Sequence, residues 1–310
     1  MEDFYLGNSI RKLRKQKKLT LDELADGICS KRQLQRIETN ITIPSADIIF
    51  KLSKKLDENL KEYFPYSHFE DPIEMAKLIK TLEQLYEARD YLKLYELSKE
   101  YVETDIKSPE FKQIICYYHW NAAIYLEIDP LPDEHYFLSL LGYSIESPSE
   151  DTFFTSFRTL FEYKIIYSYI VIKYFDDIYE KPLDIRTQNM NAAIKLLKQV
   201  IFHYTASYKI LDYNFVCRLY NNIAHSYNIL GEHDKAIYYA DKALSQYVLF
   251  CSLSVIAMLH YVKGYALAKL DQEDSAKSSF RYFIKLHEMI GDSEYVAPLI
   301  ESLKTTYNLS

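Results

Sequence analysis

Two stretches near the C-terminal end of the chain repeat each other. Leu219–Leu244 (LYNNIAHSYNILGEHDKAIYYADKAL) and Leu259–Ile284 (LHYVKGYALAKLDQEDSAKSSFRYFI) align without a gap at an offset of 40 residues. Within each, apolar residues recur at three- and four-residue steps, the period of a helix with one buried face. Small residues return at Ala224 and Gly264 and again at Ala236 and Ala276, where two helices must approach closely. A two-helix repeat cannot bury its apolar face alone, so it has to stack on neighbours into an array. The rest of the chain agrees: nine Pro and six Gly in 310 residues are too few for the turns of a strand-rich sandwich, so the expected class is all-α. The length favours a second domain beside the array.

Toward the N-terminus the pairs weaken but continue, with Ile73–Ala88 and Tyr91–Glu103 as one pair and Phe111–Leu126 opening another. Breaks fall at Asp129–Asp133, Glu146–Asp151 and Glu180–Asp184. Roughly five pairs are expected, ending in a helix around Val296–Tyr307. The proline-punctuated segment YFPYSHFEDP (Tyr63–Pro72) marks a boundary. The expected layout is a domain over 1–64, a linker over 65–72 and a repeat domain over 73–310.

Residues 1–64 carry 13 Lys/Arg and 10 Asp/Glu, whereas the whole chain has a formal charge of -7. A basic front end on an acidic body suits a nucleic-acid module, because phosphate attraction is local and screened. Asn8 or Ser9 can cap a first helix; Thr20, with Glu23 at the capping-box position, a second; Ser30 a third; and Ser45 a fourth. Gly27 can end the second helix in the left-handed conformation. Ile48, Ile49, Leu52 and Leu56 form one apolar face, and Leu60, Tyr63 and Phe64 are expected to close the bundle.

In a helix over Ser30–Glu38, Leu34 and Ile37 must face inward at 100° per residue. The opposite side then carries Arg32, Gln35 and Arg36, with Lys31 and Gln33 flanking. Arg and Lys pair with guanine O6 and N7, Gln with adenine N6 and N7, and the same donors serve phosphates. The short link Gly27-Ile28-Cys29 has the length of a helix-turn-helix connection.

On these residues the chain resembles known families. LTLDELADGICSKRQLQRIETN lies in a segment, residues 6 to 64, similar to the helix-turn-helix domain of the Xre and phage-repressor class. That resemblance implies base contacts by Lys31, Arg32 and Arg36, and a structural ion pair between Arg14 and Glu38. Leu21 stands where many members have a phosphate-clamping glutamine, and the turn is one residue shorter than the commonest form. Tyr220, Ile223, Ala224, Tyr227, Gly231, Ala236, Ala240 and Ala243 fall on key positions of the tetratricopeptide pattern, although Val248 replaces its expected proline. The joined layout resembles the RRNPP family of peptide-pheromone receptors, nearest to the PlcR type, with Rgg-like and PrgX-like receptors sharing it. This implies a cytoplasmic quorum-sensing transcription regulator: a homodimer on a palindromic double-stranded operator, controlled by a short signalling peptide bound in a right-handed tetratricopeptide-like solenoid.

A peptide groove needs side chains that reach a peptide backbone. Arg218, Asn221, Asn222, His225 and Asn228 form one stripe at helical steps, and an asparagine both donates and accepts. Tyr261 and Tyr265 hold equivalent places in the next repeat, and Asn121 is a further candidate. A scaffold or regulator answering to a partner protein or a non-peptide effector is the alternative.

No G-x-S-x-G, P-loop or H-E-x-x-H occurs, so no enzyme, metal or cofactor is expected. The longest apolar run, Ile165–Ile172, is too short for a membrane span. The start MEDFYLGNS lacks the apolar run of a secretory leader. Cys29, Cys116, Cys217 and Cys251 are far apart in sequence and are expected as reduced core residues.

Overall fold

Helix signals are realised throughout the computed structural model, whose described residues hold α-helices and 3-10 turns and no strand. These residues are 5–67, 69, 71–104, 106, 108–291 and 296–309. The opening residues 1–4, read above for a leader, and positions 68 and 70 of the linker lie outside them. The chain divides into two compact units, 1–108 and 109–310.

The first unit begins with α1 (Leu6–Gln16), α2 (Leu21–Ala25), α3 (Lys31–Glu38) and α4 (Ala46–Leu56), followed by a 3-10 turn over Leu60–Tyr66. Thr20 makes a full capping box with Glu23, and Ser30 and Ser45 cap α3 and α4 through the backbone N–H groups of Gln33 and Ile48. Each such cap stabilises its helix by about 1 kcal/mol. Gly27 has φ +72°, which releases the chain from α2 into α3.

Two expectations change here. α1 starts one turn early, after Tyr5, with no side-chain cap. Leu6 and Gly7 pack inward, so Ser9 is buried within the helix and Asn8 accepts a hydrogen bond from Asn40 Nδ2 at 2.9 Å. Phe64 does not close the bundle, since it is 45% exposed while Leu60 and Tyr63 are buried.

Gly7 is where α1 meets α3. A Cβ there would lie 1.9 Å from the Ile37 carbonyl oxygen, which is backbone and cannot rotate away. Gly7→Ala is therefore expected to destabilise this unit by about 1–3 kcal/mol through overpacking. Thermal denaturation checks this, and an unchanged midpoint would contradict so close an approach.

The first unit does not end at the linker. α5 (Pro72–Glu87) and α6 (Tyr91–Val102) belong to it, because Ile73 joins the apolar cluster of Leu6, Ile10, Leu24 and Leu52. Asp71, which caps α5, also pairs with Lys12 of α1 at 2.8 Å. The boundary expected at 65–72 thus lies inside one compact unit.

The second unit continues the pairs: α7 (Pro109–Tyr125) with α8 (Glu134–Leu141), α9 (Leu160–Phe175) with α10 (Leu183–Ser207), α11 (Tyr213–Ile229) with α12 (His233–Tyr247), and α13 (Leu253–Lys269) with α14 (Glu273–Ile290). A 3-10 turn, Val248–Phe250, precedes α13, and α15 (Ala297–Tyr307) follows α14. Ala224, Ala236, Ala240, Ala243 and Ala276 are fully buried. A Cβ on Gly264 would sit 2.7 Å from the Phe280 ring, so α13 and α14 touch at the small position the repeat predicts.

The turns inside the pairs share a geometry. Gly231 and Asp271, 40 residues apart, both have positive φ, as do Arg89 and Glu127 in earlier pairs. At Gly231 the N–H donates to Asn228 O at 3.1 Å and the next N–H to Tyr227 O at 2.9 Å. The same two bonds recur at Asp271, Glu127 and Arg89, which makes each a Schellman-type stop.

Candidate DNA-reading helix and ligand groove

In α3, Leu34, Ile37 and Glu38 are buried while Lys31, Arg32, Gln33, Gln35 and Arg36 are exposed. The helix is held from behind by Arg14. Its Nε donates to Glu38 Oε1 at 2.6 Å and its Nη2 to Oε2 at 2.8 Å, while Nη1 donates to the Leu19 carbonyl at 2.8 Å. The bidentate bond to Glu38 raises the Arg14 pKa above its ordinary value. A planar guanidinium meeting a carboxylate in this way fixes orientation as well as distance.

The five exposed donors are not equivalent. Lys31 Nζ rests on Asp22 Oδ2 at 2.5 Å, a solvated pair that a phosphate can readily replace. Arg36 Nε donates to Thr42 Oγ1 at 3.1 Å, which leans that guanidinium toward the loop after α3. Arg32, Gln33 and Gln35 make no side-chain hydrogen bond to the described residues, so their donors face solvent along one helix side. Leu21, in the place of the clamping glutamine, is half-buried against the apolar cluster of the unit.

In the second unit α7, α9, α11 and α13 are the first helices of consecutive pairs, and the α11 stripe divides. Asn228 is 7% exposed, its Nδ2 donates to Val262 O at 3.0 Å, and its Oδ1 lies 3.0 Å from His233 Nδ1. Asn121 is 8% exposed, bonding the Tyr117 carbonyl of its own helix at 2.7 Å and Ser168 of α9 at 3.4 Å. Both were expected to face a ligand, and both instead fasten one first helix to the next. Each sits where a neighbouring helix covers its turn of the stripe.

The rest of the stripe is half-buried. Asn222 Nδ2 donates to the Tyr167 hydroxyl at 3.0 Å. Asn221 is half-buried, and its Oδ1 is buried without a hydrogen-bond donor among the described residues. His225 stacks on Phe175 with ring centroids 6.0 Å apart and meets the Tyr179 edge at 6.4 Å. Burial lowers the His225 pKa to about 4, so the ring is neutral at physiological pH. Burial, and then the nearby Tyr265 and Tyr261 of α13, raise the pKa of Tyr179, which lies in the α9–α10 connection. Tyr261 packs on Phe283 at 5.4 Å and Tyr265 is exposed. Arg218 is half-buried and near Asp212.

Asp212 caps α11 through the Phe215 N–H at 3.0 Å and pairs with Lys164 of α9 at 3.0 Å. Burial pushes its pKa up, but Lys164 and the Phe215 N–H outweigh that and hold it below the ordinary value. α11 is therefore anchored at its start while its middle turns present Asn221, Asn222 and His225.

Phe175 and Tyr179 were missed from the sequence. They lie in the region between Asp129 and Met190 that shows no repeat register, and aromatics are too common in a chain with 30 tyrosines to stand out. Among the described residues no group of three or more His, Cys, Asp or Glu could hold a metal ion, and no helix is long and apolar enough to cross a membrane.

By architecture the chain is a helix-turn-helix domain carried with an array of helix pairs, and residues 10–63 match the helix-turn-helix family. Its fold is similar to that of PlcR from Bacillus thuringiensis in complex with the peptide PapR7 and DNA, at a TM-score of 0.73 and 18% identity over 99% of each chain. PlcR in its apo form is similar at a TM-score of 0.57 and 18% identity, covering 97% of this chain and 98% of that one. ComR from S. thermophilus, in complex with DNA and its signalling peptide ComS, reaches a TM-score of 0.56 and 17% identity over 98% of each chain. No curated protein matches the sequence.

Proposed function

We propose that this chain is a cytoplasmic, non-enzymatic transcription regulator that reads double-stranded DNA through α3 and is controlled by a short signalling peptide held against α11 and α13. The observation that carries the DNA half is the division of α3. Its inner side is locked by Leu34, Ile37 and the Arg14–Glu38 pair, and its outer side offers Arg32, Gln33, Gln35 and Arg36 to solvent with no acid among them. A positioned row of Arg and Gln on a rigid helix can meet base edges in a major groove. One such helix covers only a half-site, so two copies on a palindromic operator are proposed.

The peptide half is supported by the unpartnered Asn221 Oδ1, which a peptide N–H can satisfy, beside the aromatic surface of Phe175, Tyr179 and Tyr265. Buried polar atoms normally find partners, so a buried acceptor left open among the described residues on a half-buried stripe suits a ligand that displaces its neighbours slightly. The peptides bound to PlcR and ComR in the similar structures favour this ligand class over a partner protein.

Mobility shift against duplex DNA at rising salt tests the first half: phosphate contacts give a steep loss of affinity, and a flat salt dependence would remove it. For the second half, calorimetry should compare wild type with Asn221→Ala, using short synthetic peptides encoded beside the gene. A lost bond to a buried acceptor weakens binding by about 0.5–1.5 kcal/mol, or roughly 2- to 12-fold. Equal affinities would take Asn221 out of the site.

A further inference from the structure

Two of the four free thiols stand together. Cys217, on the buried side of α11, and Cys251, just after the 3-10 turn Val248–Phe250, have their Sγ atoms 3.1 Å apart. In sequence they are 34 residues apart, and nothing in their spacing marks them as a pair. The α11–α12 hairpin folds the chain back so that the segment entering α13 lies beside the start of α11. Ser252 N–H donates to Asn214 Oδ1 at 2.8 Å and holds that segment in place, and the Cys251 thiol lies 3.5 Å from the Tyr213 carbonyl. All four thiols are free, as expected, but only Cys116 and Cys217 are buried core residues; Cys29 and Cys251 are half-buried, and Cys217 and Cys251 are in contact.

We propose that Cys217 and Cys251 are an oxidisable dithiol that reacts with a disulfide-class oxidant and closes a covalent tie between α11 and the segment leading into α13. A disulfide needs its sulfurs at about 2.05 Å, so about 1 Å of approach between two flexible side chains completes the bond. The two thiols divide the roles. Cys251 is half-buried and within reach of a dissolved oxidant, whereas Cys217 is fully enclosed. That difference in exposure assigns the first attack to Cys251, and the contact with Cys251, together with burial, raises the Cys217 pKa in the same sense.

With glutathione disulfide as oxidant, Cys251 gives its proton to solvent and its thiolate attacks one glutathione sulfur. The glutathione S–S bond breaks, one glutathione leaves as thiolate, and a mixed disulfide remains on Cys251. Cys217 then loses its proton and attacks Cys251 Sγ, expelling the second glutathione. Two protein thiols are oxidised by two electrons, and one glutathione disulfide is reduced to two glutathiones. Disulfides inside cells are mostly of this transient, sensing kind. The tie fixes the base of the helix that presents Asn221, Asn222 and His225, and the site stands independently of what that helix binds.

The test uses the full chain, reduced, freed of reductant and incubated with excess glutathione disulfide. It is then denatured, alkylated with N-ethylmaleimide and weighed whole and as peptides. The expected result is the loss of two of the four alkylatable thiols, no retained glutathione, a crosslinked peptide joining Cys217 to Cys251, and return of all four thiols after dithiothreitol. Cys217→Ser should trap one glutathione on Cys251, and Cys251→Ser should leave its three remaining thiols alkylatable. Four alkylated cysteines in oxidised wild type, a crosslink through Cys29 or Cys116, or a lasting glutathione adduct on wild-type Cys251 would each overturn the proposal. The wild-type measurement decides even if a variant fails to fold.

Discussion

Glu38→Ala is expected to be the most damaging substitution in the first unit. The Glu38 side chain is 4% exposed and the Arg14 side chain 11%, and the two share a bidentate contact. Removing the carboxylate leaves the guanidinium held only by the Leu19 carbonyl, in a place where water cannot fully replace what was lost. Breaking one side of a buried pair costs about 3–5 kcal/mol. For a unit of about 100 residues that lowers the melting midpoint by more than about 10 °C. The double variant Arg14→Leu with Glu38→Leu should recover part of the loss, because no unpaired buried charge remains. If the alanine variant melts with wild type, the pair does not hold α3.

The second large effect is on DNA. Arg32→Ala should weaken binding to a selected operator by about 1–3 kcal/mol, roughly 5- to 150-fold, and flatten the preference at one base pair. Lys31→Ala should instead weaken selected and scrambled duplexes alike and reduce the salt slope by about one. The contrast follows from geometry: Lys31 lies toward α2, paired with Asp22, while Arg32 stands free on the outer side of α3. Titrating both variants on both duplexes separates the roles, and an equal loss on the two duplexes for Arg32→Ala would make it a phosphate contact.

The helix-turn-helix was legible because its signals are local. Thr20 with Glu23, Ser30, Gly27 and the Leu34–Ile37 spacing each act within one or two turns, and each appears where expected. The last two repeats were legible for a similar reason, since Ala224, Ala236, Gly264 and Ala276 record close helix contact directly in residue size. The earlier pairs were harder. Their turns use the same left-handed stop as Gly231, but with Arg89 and Glu127 at that position. Such residues can take this conformation at a cost of about 1–2 kcal/mol, so the backbone requirement left no glycine to read.

The groove shows a different limit. A helical stripe tells which residues share a side but not which neighbour covers each turn. That is why Asn228 is taken up by Val262 and Asn121 by Ser168, while Asn221 and Asn222 on the same period stay half-buried, the second held by Tyr167. The compact units divide at 108/109 and not at the prolines for a related reason. Prolines mark a bend in the chain, yet Ile73 beyond the bend still packs into the cluster of Leu6 and Ile10.

The two-sided build of α3 also bears on how such a protein can diverge. Exchanging Arg32, Gln33 or Gln35 alters exposed groups that make no side-chain hydrogen bond to the described residues, and surface changes of that kind usually shift stability by less than about 0.5 kcal/mol. Copies arising by gene duplication could therefore acquire new target sites by drift along this one surface, with Gly7, Leu34, Ile37, Arg14 and Glu38 passed on unaltered. Paralogues would then differ in address while sharing the same folded frame.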